Sequence, residues 1–195
     1  MKKITFFYSV MNSGKSLKLI QDHYNFQRVG KNTLVLKPSL DTRNYHSVST
    51  RLGEISIPAF AFSPDTNLID LIDNLIYTEG IDTLNTIFLD EAQFCTKKQI
   101  EELREIATNK NIEVYSYGLK TNFKGELFEG SNALLCLADK LIELSSLCKC
   151  GNKATFNMRI NSEGFKLLSG IEIDCGSEDK YISVCHKCYS TTKVV

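Results

Sequence analysis

The chain has 195 residues, which is room for one nucleotide-binding domain with a full core plus a short appended module, and too little for three domains. Its 43% hydrophobic and 24% charged residues, with no low-complexity tract, exclude a disordered segment. Lysine plus arginine equals aspartate plus glutamate at 23 each, so no global field would hold a polyanion such as DNA or RNA, and a small ligand is expected.

The first residues, Met1-Lys2-Lys3 before an apolar run, faintly imitate a secretory signal, but Asn12, Ser13, Gly14 and Lys15 interrupt the run too early. No stretch approaches the roughly 20 apolar residues of a membrane span, so a cytoplasmic location without membrane contact is expected. Thiols stay reduced there. Seven cysteines, an odd number, then point to metal binding rather than a closed set of disulfides.

Residues 3–8 form a β-branched and aromatic run that predicts a buried strand leading into a loop. Leu17, Ile20 and Tyr24 recur at helical spacing and predict a helix that ends before Gly30. Residues 33–36 predict a second strand, stopped by Pro38. Strand, helix, strand is the unit of a parallel sheet with a right-handed crossover. Residues 41–53 are polar without either period and are expected to form a mobile loop.

Leu68, Leu71, Ile72, Leu75 and Ile76 predict an amphipathic helix after a start signal at Asp65-Thr66, closed by Gly80. Residues 86–89 predict a buried strand. Thr96 and Gln99 make a capping-box signature ahead of a helix with Ile100, Leu103, Ile106 and Ala107 on its apolar face. A strand at 112–117, a short helix at 132–137 and a strand at 140–144 complete a first domain. This predicts an α/β fold with residues 1–145 as the nucleotide-binding domain. Residues 146–195 form a second, smaller unit: positions 148–195 hold five of the seven cysteines, with short strand-like pieces and too little apolar surface to fold without a staple.

Three sets of residues carry chemistry. Ser9-Val10-Met11-Asn12-Ser13-Gly14-Lys15-Ser16, between the first strand and the first helix, fits a phosphate-binding loop except at Ser9, where the usual residue is glycine. Loop amides and the helix N-terminus would converge on a triphosphate, Lys15 would reach its β and γ groups, and Ser16 would hold Mg²⁺. A chance Gly-Lys-Ser opening an ordinary helix is the alternative, but strand and helix flank it where the mechanism needs them. Asp90 and Glu91 follow an apolar strand, at the end where ligands bind in parallel sheets. The first would orient Mg²⁺, directly or through water, and the second would take a proton from the attacking nucleophile.

Cys148 and Cys150, then Cys185 and Cys188, form two close pairs 34 residues apart, a donor set for a closed structural Zn²⁺ site. The first pair has a one-residue spacer where two is common, and His186 is a candidate substitute ligand that more plainly suits solvent. Cys95, Cys136 and Cys175 have no such partners and are expected to be buried small apolar residues.

Taken together with Lys37-Pro38-Ser39-Leu40-Asp41-Thr42-Arg43, Asp90-Glu91-Ala92-Gln93-Phe94, Gly118-Leu119, Phe123-Lys124-Gly125-Glu126-Leu127-Phe128 and Tyr181-Ile182-Ser183-Val184-Cys185, these motifs resemble the cellular, zinc-containing (type II) thymidine kinases over essentially the whole chain. The shortened first cysteine pair and the loop variant are similar to a bacterial-type member. The resemblance implies a P-loop (RecA-like) parallel sheet flanked by helices and a small zinc-containing lasso domain over the nucleoside site. It implies transfer of the ATP γ-phosphoryl to the 5′-hydroxyl of thymidine, giving dTMP for pyrimidine salvage and DNA precursor synthesis.

By the same resemblance, Glu91 matches the catalytic base and Asp90 the magnesium-orienting acid. Ala92 and Gln93 lie with them on the nucleotide side, and Arg43 matches a basic element near the reacting phosphates. Phe94, Leu119, Phe123 and Phe128 match apolar positions around the base, although each also suits ordinary core. Tyr181 and Cys175-Gly176-Ser177 match the substrate-covering lasso, with Ser177 standing where many members have a second glycine. Family members are similar in being homotetramers inhibited by dTTP, the triphosphate end product. A phosphate-loop ATPase acting on nucleic acid would need a basic zinc segment, yet positions 170–180 carry Glu172, Asp174, Glu178 and Asp179. A non-enzymatic zinc module leaves Lys15, Asp90 and Glu91 without a role.

Overall fold

The computed structural model describes residues 2–40, 46–50, 55–168 and 180–193. In chain order the elements are β1 (Ile4–Ser9), α1 (Lys15–Arg28), β2 (Thr33–Pro38), β3 (Ser47–Ser49), β4 (Ser56–Pro58), β5 (Phe60–Phe62), α2 (Leu68–Thr78), β6 (Thr86–Leu89), a 3-10 turn (Ala92–Phe94), α3 (Lys97–Asn109), β7 (Glu113–Leu119), α4 (Glu129–Leu137), β8 (Lys140–Glu143), β9 (Phe156–Ile160), β10 (Lys180–Val184) and α5 (His186–Tyr189). Six strands form one sheet in the order β5-β2-β6-β7-β1-β8, and every pairing in it is parallel.

The alternation of side chains across a strand divides the apolar residues between the two faces of this sheet. Ile4, Phe6, Leu34, Leu36, Ile87, Leu89 and Val114 point to the face covered by α2, α3 and α4, where Leu68, Ile72, Ile100, Leu103 and Leu134 meet them. Phe7, Val35, Phe88 and Tyr117 point to the other, where Leu19 and Ile20 of α1 and Val48 of β3 cover them. The sequence pattern of near-continuous apolar runs follows from this double burial.

The helix face expected for α1 is corrected. Lys15, Leu19, Ile20 and His23 are buried, whereas Leu17 and Tyr24 are exposed. Lys15 must turn inward at the start of the helix, which places positions four, five and eight residues later against the sheet and sends position 17 to the opposite side. Helix α2 starts from Asn67, whose side chain accepts from the amides of Ile69 and Asp70, one residue beyond the expected signal. Thr66 instead closes a turn by accepting from the Ser63 amide at 3.1 Å. The capping box of α3 is formed as expected, and Glu102 of that helix accepts from the amide of Leu68 at 2.8 Å, joining α3 to the first turn of α2.

Part of the expected loop at 41–53 is ordered as β3, which pairs antiparallel with β4. Two three-residue strands are too short to register as a period in the sequence. Helix α4 begins at Glu129, three residues earlier than expected, and Cys136 is exposed rather than buried. It lies two residues past Leu134, on the side of α4 away from the sheet. Cys95 is buried as expected, and Cys175 falls outside the described residues. Beyond β8, the antiparallel pair β9 and β10 gathers Cys148, Ala154, Met158, Ile160, Val184 and Cys185 into a separate apolar cluster that also takes in Val10. No helix among the described residues is long and apolar enough to cross a membrane.

Candidate active site

The loop from Ser9 to Ser16 runs from the end of β1 into α1. Two of its residues have left-handed backbone, Asn12 at φ 57° and Gly14 at φ 81°. Asparagine tolerates that region, and glycine at the helix N-cap enters it without a Cβ penalty, so the chain can curl there into the helix. Lys15, buried, donates to the Val10 carbonyl at 2.8 Å and reaches Ser13 Oγ at 3.4 Å. The cation is thereby folded back over the loop that precedes it. The Ser9 hydroxyl donates to the Leu144 carbonyl, so the departure from glycine ties the loop to the chain leaving β8.

Asp90 follows β6, and β6 is separated from β1 by β7 alone. Its Oδ2 accepts from the Ser16 hydroxyl at 3.3 Å, so the loop and the carboxylate strand meet. Asp90 is 4% exposed, and its acid is pushed up to about 7, first by burial and then by the neighbouring Glu91 charge, against a hydrogen bond from the Glu91 amide and the pull of Lys15 and Lys37. Glu91 has left-handed backbone at φ 50°. A glutamate held there costs on the order of 1–2 kcal/mol, a strain that the surrounding turn sustains.

Gln93, 2% exposed, links this turn to β7: its amide nitrogen donates to Glu91 Oε2, and its Oε1 accepts from the Leu119 amide at 2.9 Å. Ala92 is fully buried in the core beneath. Gly130 of α4 lies so close to this turn that a Cβ there would meet the carbonyl oxygens of Ala92, Cys95 at 2.8 Å and Gln93 at 3.1 Å.

The candidate base-lining residues fall into two pairs. Phe94 and Phe128 meet edge-on with ring centroids 5.8 Å apart. Phe123, 2% exposed, meets Tyr181 at 6.3 Å, and the Arg159 guanidinium lies over both rings at 5.5 and 5.9 Å. Leu119, at the end of β7, has its amide held by Gln93 and its carbonyl accepting from Ser131. Arg43, Cys175, Gly176 and Ser177 lie outside the described residues.

The four sulfurs of Cys148, Cys150, Cys185 and Cys188 lie within 4.8 Å of one another, with Cys150 and Cys185 at 3.5 Å. A Zn²⁺ with bonds of about 2.3 Å would space its thiolates by about 3.8 Å, so the donors fit. Cys150 titrates low, at about 6, because the Asn152 backbone amide and then its side chain donate to the sulfur. His186 is exposed and sets its ring against Phe156 at 5.6 Å, apart from the four sulfurs. The donors for magnesium fit as well: Ser16 Oγ and Asp90 Oδ2 stand 3.3 Å apart, close to the roughly 2.9 Å between neighbouring vertices of an octahedron with 2.0–2.1 Å bonds.

Sequence reasoning gave no role to Lys37, 2% exposed and adding positive charge near Asp90, nor to Asn157 and Ser183, whose side chains reach the phosphate loop. A lysine inside an apolar strand was the available signal for the first. The other two are ordinary polar residues in short strands and carried none.

The family profile described as Thymidine kinase matches residues 2–189. The chain is 41% identical over 190 residues to a thymidine kinase of Legionella pneumophila (strain Lens), covering 97% of this chain and 90% of the relative. It is 42% identical to thymidine kinases of Haemophilus influenzae (strain ATCC 51907 / DSM 11121 / KW20 / Rd), covering 97% and 96%, and of Coxiella burnetii (strain RSA 493 / Nine Mile phase I), covering 96% and 94%.

Proposed function

Because this chain belongs to the thymidine kinase family, we propose that it transfers the γ-phosphoryl group of ATP to the 5′-hydroxyl of thymidine, yielding dTMP. The observation that carries the reading is the Ser16 hydroxyl on Asp90, which brings a phosphate-loop helix and a strand-end carboxylate pair to one place. The loop of residues 9–16, through amides other than that of Met11, and Lys15 would cradle the triphosphate, with Ala92, Gln93 and Arg43 on the same side. Ser16 and Asp90 would hold Mg²⁺, Asp90 directly or through water; the bound ion neutralises charge on the phosphates. Glu91 accepts the proton of the sugar hydroxyl as that oxygen attacks phosphorus and ADP leaves. Its fixed turn supplies orientation, which is most of what phosphoryl transfer asks of a protein.

On the acceptor side Phe94, Leu119, Phe123 and Phe128 surround the base, and Tyr181 with Cys175, Gly176 and Ser177 covers it. Residues 1–145 act as the nucleotide-binding domain and 146–195 as the covering one. Zn²⁺ on Cys148, Cys150, Cys185 and Cys188 would close the base of that second unit and add folding free energy. A covered acceptor site would exclude water, a competing acceptor. A cytoplasmic location, expected from the sequence pattern, and a homotetramer inhibited by dTTP, which the resemblance implies, complete the proposal.

The test supplies ATP, Mg²⁺ and a panel of nucleosides to the purified protein and separates the products. Thymidine converted to its 5′-monophosphate is expected; phosphorylation of a purine nucleoside in preference, or ATP hydrolysis without nucleoside phosphorylation, would overturn the reading.

A further inference from the structure

We infer that the β9–β10 hairpin of the cysteine-bearing unit is a positioning device for the phosphate loop, and that Asn157 and Ser183 are the residues through which it acts. The inference rests on the reading above that residues 9–16 hold the triphosphate. It extends the unit's role from the acceptor, which it covers, to the donor.

Asn157 on β9 and Ser183 on β10 are directly opposed in the antiparallel register, so their side chains leave the hairpin together. Both end on one loop residue. Asn157 Oδ1 accepts from the Met11 amide at 2.8 Å, and Ser183 Oγ donates to the Met11 carbonyl at 2.6 Å. Asn157 is 3% exposed and is pinned at its other end as well, its Nδ2 donating to the Thr121 carbonyl at 3.0 Å. Turning the carboxamide over would set a donor against the Met11 amide and an acceptor against a carbonyl, so only one orientation satisfies both. Immediately before Met11, Val10 is 4% exposed within the apolar cluster that holds Cys148, Val184 and Cys185.

Met11 directly precedes Asn12, where the backbone turns left-handed. Fixing both polar groups of residue 11 fixes the peptide planes from which the amide cradle begins. A cradle ordered in advance does not spend binding free energy on ordering when the triphosphate arrives. The consequence falls on nucleotide affinity, and leaves nucleoside affinity and the chemical step unchanged.

Ser183→Ala, Ser183→Thr, Asn157→Ala and Lys15→Ala are compared with wild type by equilibrium binding of ATP, by KM for ATP and for thymidine, by kcat and by thermal unfolding. Losing one hydrogen bond to the loop should weaken ATP about threefold to tenfold in Ser183→Ala, with thymidine KM and kcat within about twofold. Ser183→Thr, which keeps the hydroxyl, should restore ATP affinity. Asn157→Ala should move ATP affinity in the same direction and also lower the unfolding temperature, because Thr121 loses its partner; Ser183→Ala is the variant that separates positioning from folding. Unchanged ATP affinity in Ser183→Ala while Lys15→Ala loses ATP would overturn the clamp, as would a rise in thymidine KM alone. Unchanged ATP affinity in Lys15→Ala would overturn the phosphate-loop reading beneath it.

Discussion

Gly130→Ala tests whether the seat of α4 holds the turn that carries Glu91. The added methyl would come within 2.8 Å of the Cys95 carbonyl oxygen, 3.1 Å of that of Gln93, and closer still to that of Ala92. All three are backbone atoms, so no side chain can swing aside. Recovering an ordinary carbon-to-oxygen contact of about 3.3–3.6 Å against Cys95 alone requires helix and turn to part by roughly 0.5–0.8 Å, and the closer approach to Ala92 requires more. Overpacking of this kind costs about 1–3 kcal/mol, or about 2–12 °C of unfolding temperature for a chain of this size. Because the displaced segment includes Gln93, whose carboxamide braces Glu91, kcat should fall about 10-fold to 100-fold. The assay pairs differential scanning calorimetry with steady-state kinetics at saturating ATP. A variant that melts early yet turns over at the full rate would show that the geometry of this turn does not govern the chemistry, and an unchanged melting temperature would show that the helix is not seated so tightly.

Glu91→Gln should lower kcat by about 10²–10⁴-fold with ATP KM within about twofold, since the proton acceptor is lost and the cradle is not; a full-rate variant would remove Glu91 from the role of base. Cys185→Ser should lose bound zinc by elemental analysis and lower the unfolding temperature, because three thiols cannot complete the tetrahedron; wild-type protein free of zinc would refute it. His23, 9% exposed against the edge of the Phe88 ring, has its pKa lowered by burial. The unfolded chain therefore takes up its proton first, so the stability this group contributes is present above about pH 6.5 and is lost as pH falls through the lower folded value. Urea unfolding across that window should show a shallower loss in His23→Gln than in wild type, and parallel slopes would contradict it.

Much of the scaffold was legible because its signals are local. The capping box at Thr96 and Gln99, the apolar runs of β1, β2 and β6, and the spacing of the four cysteines each declare themselves within a few residues. The local pattern misleads where a distant demand sets the structure. Lys15 turning into the loop fixed the phase of α1 and moved Leu17 to solvent. Gly130 and Ser131, poor helix formers, belong to α4 because the Asp90 turn needs a helix without a side chain at 130. Asn157 and Ser183 were invisible for the same reason: their partner, Met11, is more than a hundred residues away.

The strand order has a consequence for scale. The proposed triphosphate cradle follows β1 and the acid pair follows β6, with β7 between the two strands. Neighbouring strands stand about 4.8 Å apart whatever their side chains, so the two strand ends are spaced by about 10 Å, and backbone hydrogen bonding alone sets that interval. The sheet is a caliper whose jaws cannot be reset by point substitution; altered reach between donor and acceptor would have to come from the side chains and turns mounted on its tips.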